Sequence, residues 1–382
     1  MRGLYLHLPF CKTRCGYCDF VTTADSSPDL RERFFKALDH EIKQARARLG
    51  DLSFETLYLG GGTPSCLSVP ELERVIAGLH AAFDFKTGCE FTCEFNPGDG
   101  DTEKIETLRA LGVNRVSLGC QSFQDEILRK LGRRHTVRDI EGTVASFRKA
   151  GITNLSFDLM LRLPGQTLED FRNSLRQCVR LEAAQVSLYD LEVHAETPFG
   201  RLEKENKLDL PGEEEHARMF ESAAGILTEE GYEHYEISNF AKPGLASRHN
   251  LLYWHNQEYL GLGPGAFSYG GGVRSQFAPD LVRYLEKCEA GDWKDDDSET
   301  LSAEEKETES FVVGLRLREG IAPGEFPLIY PRLKERLEAL LKEGLLQKAG
   351  KLHRLTLRGK LLSDDVFAFL LNKDAPVKTP GL

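Results

Sequence analysis

The sequence predicts an α/β fold: a parallel sheet covered by helices, built as a partial barrel or an open sheet and followed by an α-rich C-terminal region. Three observations predict it. Six β-type runs recur through the first 193 residues, and each is followed by a helical pattern. The runs are nearly continuous in apolar residues, as strands of a parallel sheet are when both faces are covered. Six such units fall short of the eight that close a (β/α)8 barrel.

In order, the runs are LYLHLPF (4–10), TLYLGGG (56–62), EFTCEFNP (90–97), RVSLGCQS (115–122), LSFDLMLRLPG (155–165) and QVSLYDLEV (185–193). Between the first two lies LRERFFKALDHEIKQARARL, whose Phe34, Phe35, Leu38, Ile42 and Ala45 fall along one helical face. In PELERVIAGLHAAF, Pro70 suits a first helical turn. These units define residues 1–210 as the first domain. Residues 211–300 change rhythm, with a helix (EEEHARMFESAAGILTEEG) and a Gly-rich segment (GLGPGAFSYGGG, 261–272). Residues 301–371 read as a helical domain ending in a winged-helix-like module, in which PRLKERLEALLKEGLLQKAGKLHRLTLRG is a helix followed by a hairpin. Residues 372–382 read as a frayed tail.

The net charge of -11 argues against nucleic acid as a partner, because such binders show a basic field. Glu335, Glu338 and Glu343 likewise interrupt the basic residues of the winged-helix-like module, which points to packing rather than DNA. The acidic run DDDSETLSAEEKETE (295–309) reads as a solvated helix start. With no run of 18 apolar residues and no secretory leader pattern, a soluble, cytoplasmic chain without stable membrane insertion is expected. Nine cysteines in a reducing compartment are then thiols or metal ligands rather than disulfides.

In either sheet geometry, ligand-contacting residues belong at the C-terminal strand ends. Cys11, Cys15 and Cys18 follow the first run, GGGTP (60–64) ends the second, Glu94 ends the third, Gln121 ends the fourth and Asp158 lies in the fifth. A structural zinc site needs four ligands. Three thiolates on one tight loop suit three irons of a four-iron cluster, leaving the fourth iron open to another ligand. A zinc knuckle completed by His7 or a remote cysteine, or three unrelated thiols, remain the alternatives on spacing alone.

The C-x3-C-x2-C loop, with Tyr17 just before its last cysteine, resembles the radical S-adenosylmethionine (SAM) superfamily. YLHLPFC, GGGTPS, EFNPG, SLGCQSF, LGRRH, DLMLRLPGQT, YEISNFAKPG and HNLLYW, in this order, are similar to the group holding oxygen-independent coproporphyrinogen III oxidase and its shorter relatives, the haem chaperones of the HemW type. The resemblance implies a partial (β/α)6 TIM-like barrel, a [4Fe-4S] cluster on Cys11, Cys15 and Cys18, and SAM on its open iron. By motif, Tyr5, Tyr17, Gly61, Gly62, Thr63, Glu94, Gln121, Arg133 and Asp158 would surround SAM. Two departures speak against the oxidase: Phe20 stands where it has a further cysteine, and its N-terminal extension is absent. HNLLYW implies haem as cargo, with His249, Tyr253 and Trp254 as its candidate contacts, and an unidentified acceptor protein, a reductant for the cluster and a homodimer as partners. Leu161, Arg162, His194 and Phe267 depart from the chaperone pattern near the expected pocket. A radical SAM enzyme on another substrate, methyltransferase-like, cyclopropanase-like or coproporphyrinogen III oxidase-like, and a non-catalytic zinc or iron-sulfur scaffold stay open as other readings.

Overall fold

The computed structural model describes residues 2–25 and 27–372. All but residue 372 of the expected tail lies outside the described residues. The six units form β1 (Gly3–Leu8), α1 (Pro28–Leu49), β2 (Ser53–Gly61), α2 (Val69–Ala82), β3 (Asp84–Phe95), α3 (Thr102–Ala110), β4 (Arg115–Gln121), α4 (Asp125–Lys130), α5 (Val137–Lys149), β5 (Asn154–Leu161), α6 (Leu168–Arg180) and β6 (Gln185–Asp190). Local chemistry sets several helix starts. Ser68 with Glu71, Thr136 with Asp139 and Thr167 with Asp170 each close a reciprocal capping box, satisfying backbone N–H groups that the first turn leaves open.

β1 to β6 are parallel neighbours in sequence order. After α7 (Pro198–Lys204) and α8 (Glu213–Glu229), the antiparallel β7 (Glu233–Glu236) and β8 (Asn239–Ala241) extend the sheet beyond β6. α9 (Arg248–Trp254) follows, and β9 (Tyr259–Leu262) returns to the other side of β1 as a further parallel strand. β10 (Phe267–Gly270), β11 (Val273–Gln276), α10 (Leu281–Ala290) and β12 (Asp297–Thr300) complete a sheet of 12 strands with free edges at β12 and β7. The Gly-rich segment thus folds as β9, a turn and β10. The acidic run, expected as a helix start, instead begins as β12, paired to β11 with every residue exposed; the helix starts only at Ala303. The edge of β11 that β10 leaves open captured this segment, and its charges stay in water.

The strands prove two-faced rather than continuously apolar. Leu4, Leu6, Leu57, Val116, Phe157 and Val186 bury the outer face in the helix-covered core. The alternate residues line the inner face and are largely polar: Tyr58 bonds Glu94, Ser117 bonds Asp158, and Ser156 bonds Ser187, each across neighbouring strands. Such a face is stable only around hydrogen-bonded partners or a ligand. A second core holds the C-terminal elements: α11 (Ala303–Leu315), α12 (Tyr330–Lys342), the hairpin of β13 (Leu346–Ala349) and β14 (Leu352–Leu355), α13 (Leu357–Leu361) and α14 (Ser363–Leu371). Among the described residues no helix is long and apolar enough to cross a membrane.

Candidate functional site

The cysteine loop is closed by its own backbone. Cys11 N–H donates to Thr23 O at 2.9 Å, and Thr23 N–H donates to Pro9 O at 2.7 Å, so the loop leaves and returns beside the end of β1. His7 reinforces this closure, its Nε2 meeting Val21 O at 2.7 Å. Inside the loop, Cys18 N–H donates to Cys15 O, Gly16 N–H to Leu131 O, and Phe199 N–H to Gly16 O. A side chain at Gly16 would strike the Phe199 ring at 2.6 Å, which explains a glycine between two of the three thiols.

The loop forms one wall of a cavity of about 420 Å³ at the C-terminal ends of β1 to β6. Around it stand Cys11, Cys15, Cys18, Tyr17, Gly61, Gly62, Thr63, Glu94, Gln121, Arg133 and Asp158. Of the residues expected around SAM, Tyr5 alone is not among the cavity walls. It sits lower on the inner face, against Tyr58, with its hydroxyl 3.1 Å from His7 Nδ1. Sequence reasoning missed Asn96, Gly119, Met160 and Tyr189. Met160 and Tyr189 lie two residues beyond Asp158 and Ser187, so period-two counting along β5 and β6 could have found them.

Glycine shapes the wall facing the cysteines. Gly61 has φ +104°, and a Cβ at Gly62 would lie 2.7 Å from Phe10 O. Side chains are excluded there, leaving backbone to meet a ligand. Opposite, the β4–β5 register shifts between Leu118 and Gln121, and Gln121 takes φ +65°, which turns its side chain into the cavity.

Charge in the cavity is unbalanced. Burial raises the Glu94 carboxyl to about 7, and the facing charge of Asp158 adds to this, although Tyr58 OH donates to Glu94 at 2.9 Å. Burial also raises Asp158 to about 6 against the hydroxyl of Ser117 at 3.0 Å. The Arg133 guanidinium lies elsewhere: one nitrogen donates to Asn96 Oδ1 and to Gly119 O at 2.8 Å, the other faces Cys15 Sγ at 3.5 Å. It is therefore placed against a cysteine sulfur while still lining the cavity. Burial pushes the Cys11 thiol up to about 12, despite Thr63 Oγ1 at 3.4 Å. Burial raises Cys18 as well, and a bound metal would supply the charge that favours both thiolates. The donor set fits an iron-sulfur cluster: three thiols on one short loop with a cation at their back. The two carboxyls fit a cationic ligand, since an ammonium or sulfonium would relieve their mutual repulsion.

HNLLYW is placed differently from its expected haem role. It forms α9, which plugs the opposite end of the inner face. Glu90 accepts the N–H groups of Arg248 and His249, both at 2.9 Å. His249 is 1% exposed, with Nδ1 2.7 Å from Thr56 Oγ1 and Nε2 2.9 Å from Tyr253 OH. Thr56 pairs with Gly3, at the start of β1, whereas the cysteines follow Leu8. Five residues of strand, roughly 16 Å, separate the two levels. Trp254 carries the Arg316 guanidinium on its ring at 4.2 Å. Both His249 ring nitrogens are thus paired inside the protein, whereas Tyr253 and Trp254 are half-buried and, among the described residues, the Trp254 indole N–H has no hydrogen-bond partner. Of the four departures, His194 lines the cavity mouth, 3.2 Å from Asp19, whereas Leu161, Arg162 and Phe267 are not cavity walls.

Comparison with known proteins agrees with this geometry. Residues 5–178 match the family model of the radical SAM superfamily. The chain is 35% identical over 379 residues to the heme chaperone HemW of Bacillus subtilis, covering 98% of this chain and 100% of that one. It is 31% identical over 383 residues to the heme chaperone HemW of Escherichia coli, covering 97% and 98%. Among solved structures, coproporphyrinogen III oxidase (HemN) from Escherichia coli superposes with a TM-score of 0.85 at 22% identity, over 97% of this chain and 90% of that one.

Proposed function

Because the chain belongs to the radical SAM superfamily, and within it to the family of the heme chaperone HemW, we propose that it binds haem and passes it to an acceptor protein. The family carries a [4Fe-4S] cluster and SAM, which together supply one-electron reductive cleavage of the SAM sulfonium. Cys11, Cys15 and Cys18 would hold the cluster. Glu94 and Asp158 would face the cationic groups of SAM, with Gly61 and Gly62 giving its methionyl part backbone contact. One observation carries this half of the reading: three thiols share a cavity with two buried carboxyls that, among the described residues, form no ion pair and are held above their usual range by burial.

The haem half rests on likeness over nearly the whole chain. We infer a cytoplasmic setting, a protein acceptor and a reductant for the cluster. A radical SAM enzyme is the second reading, favoured by how completely the SAM cavity is furnished. Anaerobic reconstitution separates them. About four irons per chain, lost in Cys15→Ser, are expected. A haem titration followed by the Soret band should reach stoichiometric binding, with little 5'-deoxyadenosine or S-adenosylhomocysteine formed. Rapid SAM turnover without haem affinity would favour the enzyme instead.

A further inference from the structure

The segment 129–138, RKLGRRHTVR, carries five Lys and Arg residues and no acid, in a chain with a net charge of -11. It runs from the end of α4 into α5 and packs directly on the cysteine loop, where Gly16 N–H donates to Leu131 O. Arg133 is the one cation turned inward, to Cys15 and Asn96. Arg129, Lys130, Arg134 and Arg138 are exposed, as are Lys12 and Arg14 on the loop itself.

A small pocket of about 30 Å³ lies beside them, lined by Lys12, Cys15, Asp99, Arg133 and Arg134 among others, with Arg14, Arg129, Lys130 and Arg138 outside its lining. Cys15 also lines the SAM cavity. Cys15 thus lines two cavities, one on the cofactor side and one on the side of this basic rim, and a metal held on its thiolate would be reached from either. Four acids stand nearby, and each is occupied. Asp99 pairs with Lys12 at 2.8 Å, Glu126 lies 3.8 Å from Lys130, Asp125 accepts Val137 N–H, and Asp139 accepts the N–H of Thr136. Among the described residues, Arg14, Arg129, Arg134 and Arg138 form no ion pair. A helix end and a loop that kept such charges only for solubility would have no need to gather them on the outer side of a redox centre.

Resting on the radical SAM reading above, we infer that this rim is the docking surface for an acidic one-electron carrier protein, which reduces the cluster from the Cys15 side while SAM occupies the other. Charge complementarity argues for a protein of that sign: a concentrated positive field on an acidic molecule orients a negative partner and raises its on-rate by about 10- to 1000-fold at low salt. The step would move one electron, lost by the carrier's redox group and gained by the cluster that Cys11, Cys15 and Cys18 would hold. No bond forms or breaks in the chain.

The test uses reconstituted full-length protein and, as probe, an acidic flavodoxin held in its hydroquinone form. Arg134→Glu/Arg138→Glu changes two exposed side chains that belong neither to the cluster nor to the cavity. Cluster bleaching in stopped flow should slow at least tenfold at low ionic strength, and the difference should vanish toward 1 M salt, where the screening length is about 3 Å. Calorimetric affinity for flavodoxin should fall in parallel, even with the cluster-free chain. Arg134→Gln should give a smaller fall in the same direction. Iron content and reduction by dithionite should match wild type, which shows the variant folded and loaded. Equal flavodoxin rates and affinities in all variants would overturn the docking surface. Wild-type protein that binds no iron, or that dithionite cannot reduce, would overturn the radical SAM reading beneath it.

Discussion

Glu94 and Asp158 show how a single buried group reports on a missing partner. An ordinary glutamate titrates near 4.5, whereas Glu94 does so at about 7 in the folded chain. Its folded state therefore binds the proton more tightly than the unfolded chain does. The metal-free protein is expected to lose stability as pH rises from about 4.5 to 7 and to level off above that. Glu41, buried beneath Tyr284 OH and Gly263 N–H, is likewise raised by burial to about 7 and adds to the same slope. Thermal melts of the cluster-free chain across this range measure it. Glu94→Gln should flatten part of the slope and weaken SAM binding about 10- to 100-fold, the worth of one charge-assisted hydrogen bond. Equilibrium dialysis of SAM against the reconstituted variant checks the second effect.

At the level of elements, α9 is the piece whose sequence suggested one role and whose placement indicates another. Its aromatic and histidine side chains looked available for a flat ligand. In the fold they form a plug: Tyr58 lies 5.1 Å from the His249 ring, Tyr253 packs on Tyr259, and Glu90 caps the helix start. Burial lowers the His249 pKa, so the ring stays neutral and bridges Thr56 and Tyr253. His249→Ala would leave both hydroxyls unpaired and open a void. A loss of about 2–4 kcal/mol in urea unfolding is expected, with stoichiometric haem binding retained by the folded fraction. Loss of the Soret band in fully folded variant would show that α9 leaves this position to meet haem. The six βα units were legible because strand and helix periodicities and capping boxes are local. The identity of β12 was not, since pairing of an exposed acidic strand depends on the edge of β11 that β10 leaves open.

Across the molecule, several polar links tie the main core to the C-terminal core, and Arg316 makes two of them. Its side chain lies on Trp254 of α9 and bonds Glu236 of β7 at 3.2 Å, a carboxylate with 0% exposure. Lys360 of α13 adds a bond to His234 O at 3.3 Å. Arg316→Ala would strand Glu236, and about 3–5 kcal/mol of stability should go with it. Limited proteolysis should then release the region after residue 303 first, while absorbance of the reconstituted cluster persists. Unchanged resistance would mean that the packing of Ile237 and the remaining links, such as Lys360 to His234 O and Arg318 to Glu233, hold the two together without it.

From the sequence alone, the alternation of strands and helices, the three-cysteine loop and most of the cavity walls could be read. Each depends on neighbours a few residues apart or on a strand end whose position the alternation sets. Tertiary structure alone decided that His249 is consumed by Thr56 from 193 residues away and that Arg133 backs Cys15 from 118 away. Those partners meet only after the sheet has curved, and a hydrogen bond between distant residues leaves no periodic trace in the chain that makes it.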